Sequence, residues 1–297
     1  MGSDSNYASR WRRLDAVRNW SLTPFRNLPM APLDIYDSTY RHHTSDPLAE
    51  VRREAYDEDI GQNSWLTVAE LRRLIEWLDI SAEDRVLEVA CGSGGPACYV
   101  AQITGCHLTG IDYSADGVAT ARSLAQEKGL ADRTRFLEAD ANTHLPFEDA
   151  EFDALLCIDA LNHLRDRRFV LQEWTRVLRP GGAMVFTDPV VVTGAVTHEE
   201  FAIRSSIGFF LFVPQGYTDK VLEDVALQIV HVEDASDAAA STSVRRRAAR
   251  ARLRDAIIPI EGESAFEAYQ TFLQVVHNLS ASRRLSRFIY HAIKPTR

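Results

Sequence analysis

The chain lacks the features of a membrane protein, a disulfide-bonded secreted protein or a polyanion binder. Across its 297 residues no apolar run approaches the ~20 residues that a membrane helix needs. It has only four cysteines and no CxxC pair, which favours free thiols in a reducing compartment. The net charge of −9 disfavours nucleic acid, and the nine histidines show no metal-ligand spacing. We therefore expect a cytoplasmic protein without a metal; an N-terminus with several arginines and few acids leaves a transit peptide as the alternative.

The first 80 residues divide into two segments that precede the regular part of the chain. Residues 1–33 contain an amphipathic stretch and then three prolines in "SLTPFRNLPMAPLD". We expect this extension to pack on the chain's own surface or on a partner subunit, as in a homo-oligomer, and partial disorder is the alternative. Residues 34–80 are predicted to form a helical lid, in which Thr67 and Glu70 make a capping box.

Strands and helices alternate regularly after residue 80. Apolar strands such as "RVLEVA", "HLTGID" and "FDALLCID" are each followed by a helical pattern. This order predicts an α/β fold, a Rossmann-like seven-stranded, mostly parallel sheet with helices on both faces and an antiparallel last strand. The domain is predicted to span 81–297, with a helical cap inserted around 190–224 and 244–282. Within the cap, "HEEFAIRSSIGFFLFVP" is predicted to be one helix with an aromatic end.

Glycine is concentrated in one place, directly after the first strand. In "EVACGSGGPA", Gly92, Gly94 and Gly95 leave the backbone bare, so that a bulky ligand can approach it and the helix N-terminus behind it. Residues 92–97 also fit the G-x-G-x-x-A dinucleotide pattern, which is weak by itself. Asp112 ends the second strand, where a carboxylate can bind ribose hydroxyls; a turn acid is the alternative.

Two further acids favour a cationic nucleoside over a pyrophosphate. Glu88 lies inside the first strand, where a carboxylate would repel pyrophosphate but suit a positively charged ligand. Asp140 follows the third strand and could accept a hydrogen bond from an adenine amino group.

Several motifs taken together resemble those of the class I S-adenosylmethionine-dependent methyltransferases. They are "VLEVACGSGG", "GIDYS", "LEADA", "FDALLCIDALNHL" and "RVLRPGG", in this order. The resemblance implies S-adenosyl-L-methionine as cofactor. It places Gly92 and Gly94 at the methionine part, Asp112 at the ribose, Tyr113, Asp140 and Ala141 at the adenine, and Ile158 and Asp159 beside the sulfonium. The chain departs from the family at Ala90, where glycine is common.

A narrower likeness concerns "DIGQNSW" and "DALNHL", which resemble the phosphoethanolamine and glycine/sarcosine/dimethylglycine methyltransferases. In that branch the N-terminal helical segment folds over the cofactor, so Gln62, Asn63 and Ser64 are implied to contact its methionine part. His163 is implied to lie near the acceptor. The tyrosine that accompanies this histidine in the branch has three candidates here, Tyr36, Tyr40 and Tyr56.

The expected reaction is in-line methyl transfer to a small-molecule acceptor, at nitrogen or oxygen rather than carbon. His163 is the expected base because an imidazole titrates near neutral pH; the alternative is that it caps the next helix. Asp159 is expected to act beside it, and the alternative is a structural acid bonded to loop amides. The acceptor is expected to meet Asn162, Arg204, Phe209 and Tyr217 in and around the aromatic "GFFLFVP", although core packing would equally explain that stretch. The arginine run 245–255 is interpreted as a solvated helix face.

Two other functions are also compatible with the glycine loop at 92–95. A nicotinamide-dependent oxidoreductase would have no use for Asp140, and the chain shows no Tyr-x-x-x-Lys pair. A nucleoside-binding scaffold without enzymatic activity would not need the paired acids.

Overall fold

The computed structural model describes residues 40–42 and 45–296. The predicted extension 1–33 and the candidate Tyr36 lie outside the described residues, so the predictions made for them stay predictions.

Several helices in the described part of the chain carry the sequence signals expected of them. The capping box at Thr67 is present, since its hydroxyl accepts from the Glu70 amide and the Glu70 carboxylate accepts from the Thr67 amide. Gly105 ends another helix in the left-handed conformation. The helices are α1 Asp46–Ala55, α2 Val68–Leu78, α3 Gly95–Thr104, α4 Ala115–Glu127, α5 Arg167–Val177, α6 His198–Arg204, α7 Tyr217–Asp224, α8 Ser236–Arg252, α9 Arg254–Glu261 and α10 Glu263–Ala281.

One sheet runs through the domain. Its strands are β1 Arg85–Val89, β2 His107–Asp112, β3 Thr134–Glu138, β4 Phe152–Cys157, β5 Leu178–Val192, β6 Val213–Pro214, β7 Gln228–Asp234 and β8 Leu285–Ile293. Seven follow the order β3-β2-β1-β4-β5-β8-β7, and the two-residue β6 lies beside β5. Strands β1 to β5 are parallel, and β8 runs antiparallel to β5 and β7. The predicted sheet with its antiparallel last strand is therefore confirmed.

Helices cover both faces of the sheet and bury an apolar core on each. Leu71, Ala97 and Val118 of α2, α3 and α4 pack on one face. Trp174 of α5 and Leu222 of α7 pack on the other. A fully buried leucine or valine side chain contributes roughly 1.5–3 kcal/mol. This burial holds the carboxyl ends of the parallel strands in one row, where open α/β sheets bind ligands.

The segment after β5 differs from the prediction. Helix α6 ends at Arg204, and the aromatic stretch 208–212 is an irregular segment, not the end of that helix. The hydroxyls of Ser205 and Ser206 donate to the carbonyls of Phe201 and Ile203, which competes with continued helix formation. As a result, the aromatic side chains lie over the carboxyl edge of the sheet.

The arginine-rich segment 245–255 is only in part the solvated face that the sequence indicated, since Arg247 and Arg252 are exposed but others are covered. Residues 245–252 belong to α8, which starts at Ser236 and packs against α10. Arg250 is buried and forms an ion pair with Glu261. No helix in the described part of the chain is both long and apolar enough to cross a bilayer.

Candidate active site

A cavity of about 830 Å³ opens at the carboxyl edge of the sheet. The loops after β1, β2, β3 and β4 form its floor, the segment 61–65 closes one side, and residues 204–210 with α8 and α10 close the other. It brings together fifteen of the predicted residues: Asn63, Ser64, Glu88, Ala90, Gly92, Asp112, Tyr113, Asp140, Ala141, Ile158, Asp159, Asn162, His163, Arg204 and Phe209. Gln62, Gly94 and Tyr217 are not part of its lining.

The glycine loop is bare for two different reasons. Gly92 lines the cavity at φ +54°, and a Cβ there would meet the Tyr40 hydroxyl at 2.8 Å. Gly94 instead faces the protein, since a Cβ would meet that of Ala121 at 2.6 Å. Likewise, a Cβ on Gly95 would meet the Ile60 carbonyl oxygen at 2.5 Å. Of the three glycines, only Gly92 therefore lines the cavity, with Tyr40 against it, and the placement of Gly94 at the methionine part stays a prediction.

Ala90 occupies a backbone conformation that favours glycine. Its φ is +57°, in the left-handed region, and it lines the cavity directly after β1. Such a conformation costs a residue with a Cβ about 1–2 kcal/mol. Where the family commonly has glycine, this chain therefore has a strained alanine in the wall of the cavity.

Asp112 holds the glycine loop and the following turn together. Its Oδ2 accepts from the Gly92 amide at 2.8 Å, and its Oδ1 accepts from the Ser114 amide at 2.9 Å. These two bonds fix a buried carboxylate at the cavity wall. Tyr113, next in the chain, is 56% exposed and lines the cavity, and an aromatic ring of this kind can stack on a planar ligand.

The adenine region predicted from the sequence lies on the same side. The Oδ1 of Asp140 accepts from both the amide and the side-chain nitrogen of Asn142 at 2.9 Å. Asp140 and Ala141 line the cavity together with Ile158 from the end of β4. The carboxylate can accept a hydrogen bond from the edge of a purine. The apolar side chains of Ala141 and Ile158 can pack against its face.

Glu88 is buried beneath the cavity, and its Oε2 has no hydrogen-bond partner within the described residues. Burial, reinforced by the charge of Asp112, raises the pKa of Glu88 to about 8. A buried acid of this kind is stabilised in its charged form by a nearby cation, such as an ammonium group.

The lid segment contacts the glycine loop directly. The side-chain nitrogen of Asn63 lies 3.5 Å from the Ser93 hydroxyl, which in turn donates to the Gly61 carbonyl at 3.3 Å. Gln62 instead stabilises the lid internally, accepting from the Ile60 amide and donating to the Glu58 carbonyl. Its predicted contact with the cofactor is therefore replaced by a role in shaping the loop.

These residues fit S-adenosylmethionine. Asp112 and Asp140 line the cavity with carboxylates, which can accept hydrogen bonds from ribose hydroxyls and from an adenine amino group. Glu88 supplies the buried oxygen without a partner, and Gly92 the bare backbone.

His163 faces the cavity in one defined tautomer. Its Nδ1 lies 2.8 Å from the Phe209 carbonyl oxygen, which can only accept, so Nδ1 carries the proton and the lone pair is on Nε2. Burial lowers the pKa of His163 to about 4, so the ring is neutral at pH 7. Of the candidate tyrosines, Tyr40 lines the cavity, whereas Tyr56 is buried and donates to the Ser64 carbonyl.

Asp159 is held by several donors. Its Oδ1 accepts from Arg287 Nε and the Thr187 hydroxyl, both at 2.7 Å, and its Oδ2 accepts from the Trp65 amide at 2.8 Å. Its backbone φ is +51°, a strained conformation beside the site. A carboxylate engaged in this way orients the lid, and a direct catalytic role for it remains a prediction.

The predicted acceptor residues separate into two groups. Asn162, Arg204 and Phe209 line the cavity, while Tyr217 starts α7 elsewhere on the surface. The guanidinium of Arg204 lies 5.0 Å from the ring centres of both Phe210 and Phe272.

The sequence did not indicate four further wall residues, Trp65, Arg246, Tyr269 and Phe272. Arg246 donates to the Asn63 carbonyl and the Tyr269 hydroxyl, and lies over the Trp65 ring. The bond to the Asn63 carbonyl joins residues 183 positions apart, whereas the bond to Tyr269 spans 23 positions. The aromatic spacing in "SAFEAYQTF" was the one available signal, and it is equally typical of a core helix.

The comparisons with known proteins point to methyltransferases. The family described as "Methyltransferase domain" matches residues 87–186. The chain is 43% identical over 119 residues to methyltransferase GfsG of Streptomyces halstedii, covering 40% of this chain and 42% of that protein. It is 33% identical over 180 residues to a glycine/sarcosine/dimethylglycine N-methyltransferase of Actinopolyspora halophila, covering 61% of this chain and 31% of that one. In these two relatives the chain thus spans less than half of the length.

A third relative is covered more fully. O-methyltransferase rstn1 of Aspergillus nomiae is 33% identical over 171 residues, which cover 57% of this chain and 75% of that protein. Among solved structures, phosphoethanolamine N-methyltransferase 2 of Haemonchus contortus is similar in fold, with a TM-score of 0.72 at 18% identity over 89% of this chain and 60% of that one. The region that matches the family, 87–186, runs from within β1 to within β5 and includes the glycine loop. The chain therefore belongs to the class I S-adenosylmethionine-dependent methyltransferases, and S-adenosylmethionine is its cofactor.

Proposed function

We propose that the protein transfers the methyl group of S-adenosylmethionine to a nitrogen or oxygen of a small-molecule acceptor, with His163 taking the acceptor's proton. The observation that carries the proposal is that a single cavity joins the Gly92–Asp112 wall to the His163 ring. The cofactor supplies a methyl group made electrophilic by its positively charged sulfur.

The protein would contribute to this reaction chiefly by holding the cofactor and the acceptor in position. Asp112 and Asp140 would hold the two ends of the nucleoside, and Glu88 would face the ammonium of the methionine part. Holding two reactants at contact distance in the right orientation can supply several kcal/mol, roughly 7–11 in the best cases. The lid residues Asn63 and Trp65 line one side of the cavity.

His163 would act in the proton transfer. Because its Nδ1 proton is committed to the Phe209 carbonyl, the proton leaving the acceptor goes to Nε2. Its lowered pKa keeps the imidazole neutral, and hence able to accept a proton, across the physiological range. A positioned base of this kind contributes typically ~10²–10⁴ in rate.

Ligand-induced stabilisation tests the proposed cofactor site against the nicotinamide alternative. S-Adenosylhomocysteine at 100 times its Kd should stabilise the fold by about 2.7 kcal/mol, whereas NAD should not. Asp112→Asn preserves the side-chain shape and should weaken that stabilisation, while the exposed Asp132→Asn should not. Stabilisation by NAD alone would contradict the proposal, and retained binding without methyl transfer to any acceptor would favour a scaffold.

A further inference from the structure

Arg246 of α8 bonds two different parts of the cavity wall at once. Its Nη1 donates to the Asn63 carbonyl at 3.1 Å, and its Nη2 donates to the Tyr269 hydroxyl at 2.9 Å. Its guanidinium carbon also lies 5.6 Å from the ring centre of Trp65 and 5.8 Å from that of Tyr269. All four residues line the cavity. Because a planar guanidinium presents its donors in a rigid fork, these two bonds set the position of the lid segment 61–65 relative to α10.

Asn63 contacts the glycine loop as well as Arg246. While its carbonyl accepts from Arg246, its side-chain nitrogen lies 3.5 Å from the Ser93 hydroxyl. That hydroxyl in turn donates to the Gly61 carbonyl at 3.3 Å. Both contacts of Ser93 are long for hydrogen bonds, whereas the bond to Arg246 has an ordinary length. A shift of Asn63 against the glycine loop is therefore transmitted to Arg246.

Tyr269 connects Arg246 to the aromatic side chains of α10. Its ring stacks on that of Phe272, with ring centres 5.5 Å apart and an interplanar angle of 9°. The guanidinium carbon of Arg250 lies 4.7 Å from the centre of the Tyr269 ring. Phe272 lines the cavity and packs with Ile207 and Val276 in a buried cluster. A change at the Tyr269 hydroxyl therefore reaches the rings on the α10 side of the cavity.

The lid segment has a second contact with α10, which is of a different kind. The ring centres of Trp65 and Phe272 lie 6.5 Å apart, with an interplanar angle of 25°. Dispersion between stacked rings depends little on direction, so such a pair can slide with little loss of energy. A hydrogen bond weakens steeply when its distance or angle changes. Arg246 therefore fixes the lid against α10 more narrowly than the Trp65–Phe272 pair does.

We propose, resting on the proposed function, that Arg246 is a positioning residue that couples cofactor binding to the α10 side of the cavity. A lid segment restrained by a nucleoside on the glycine loop restrains Tyr269 and Phe272 in turn, through Arg246. The acceptor then meets rings that are already fixed, so its binding costs less conformational entropy. Because coupling between sites is reciprocal, an acceptor that contacts these rings also tightens cofactor binding. One member of the arginine-rich segment 245–255 thereby has a role in the site.

Hydrogen–deuterium exchange of the full chain, with and without saturating S-adenosylhomocysteine, tests this coupling. In the wild-type protein the product should slow amide exchange at residues 61–66, in and next to the lid segment. It should also slow exchange at residues 266–273 of α10 by about fivefold or more, the low end of ordinary coupling between sites. Calorimetry measures binding of the product in the same samples.

Two variants remove the bonds of Arg246 in different ways. Arg246→Met removes both bonds and keeps most of the aliphatic stem, whereas Tyr269→Phe removes a single hydroxyl and keeps the ring. Both should still bind S-adenosylhomocysteine and show the slowing at 61–66, but lose the slowing at 266–273. Urea unfolding checks that each variant is folded, and Tyr269→Phe carries the test if Arg246→Met is not. The control is Arg247→Met, exposed on the same helix, which should behave as the wild type.

A purely structural role for Arg246 gives a different result. It would change the unfolding free energy or the exchange of the protein without ligand, and leave the effect of the product on α10 as it is in the wild type.

The outcomes separate the two proposals. Failure of the wild-type protein to bind S-adenosylhomocysteine would overturn the proposed function. Normal binding without slowing at 266–273, or with the same slowing in Arg246→Met and Tyr269→Phe, would overturn the coupling alone. An equal loss of slowing in Arg247→Met would also overturn it, because the effect would then not depend on the bonds of Arg246.

Discussion

Nε of Arg287 lies 2.7 Å from Oδ1 of Asp159, and both side chains are almost completely buried. Arg287 comes from β8, near the end of the chain, and Asp159 from the loop after β4. Glu70 of α2 shares the same guanidinium. One cation thus forms ion pairs with two carboxylates and connects the lid, the sheet and the edge of the active site.

Removing this cation should destabilise the protein strongly. Arg287→Met leaves Asp159 and Glu70 as buried acids without their cation, so the free energy of unfolding should fall by about 3–5 kcal/mol. Urea unfolding measures it. The control is Arg252→Met, since Arg252 forms its ion pair with Glu54 at the surface and should cost less than about 1 kcal/mol. If Arg287→Met lowers the free energy of unfolding by no more than Arg252→Met does, the buried ion pairs do not stabilise the fold as we expect.

Replacement of His163 should affect turnover and not cofactor binding. His163→Gln should lower kcat by ~10²–10⁴ and leave the Kd for S-adenosylhomocysteine unchanged. Because a base works in its neutral form and the pKa of His163 is lowered to about 4, wild-type activity should hold as pH falls from 7 and decline only near pH 4. Single-turnover rates across pH measure this. Unchanged turnover in His163→Gln would remove the base assignment.

Much of the fold follows from local sequence signals. The strands after residue 80, the capping box at Thr67 and the stop at Gly105 were predictable because apolar periodicity, caps and glycine act over a few residues. The aromatic segment 208–212 was not, because its conformation depends on contacts such as the one between the Phe209 carbonyl and His163, 46 positions away. Arg246 and Arg250 were misinterpreted for the same reason, since a charged run shows its partners only after the helices pack.

Glu88 should make the stability of the ligand-free protein depend on pH. Burial, then Asp112, raises its pKa to about 8, above the ordinary carboxyl value. The folded state therefore holds a proton that the unfolded state releases, and stability should be lost as pH rises through the window up to about 8. Glu88→Gln carries no charge, so its stability relative to wild type should grow from pH 5 to pH 8 in urea unfolding. The exposed Glu127→Gln serves as control, and parallel curves for wild type and Glu88→Gln would refute the raised pKa.

Ala90→Gly should relieve strain at the cavity wall. The left-handed conformation costs alanine about 1–2 kcal/mol, which glycine would avoid. Glycine in turn destabilises the fold by about 0.5–1 kcal/mol, because it has more conformational entropy to lose on folding. A net gain of roughly 0.5–1 kcal/mol is expected in urea unfolding. Ala97→Gly, inside helix α3 with ordinary helical backbone, should destabilise instead. A loss at both positions would argue against the positive φ of Ala90.

The close approach of Gly95 to the Ile60 and Gly61 backbone has a consequence for how this protein can diverge. Even a methyl group at position 95 would displace the main chain of the covering segment, because backbone carbonyls cannot swing aside as flexible side chains do. Substitutions at 95 and rearrangements at 60–61 are therefore accessible only as a pair. Attempts to reshape the lid for new acceptors should begin at Trp65 and Asn63, whose changes leave that interlocked main chain undisturbed.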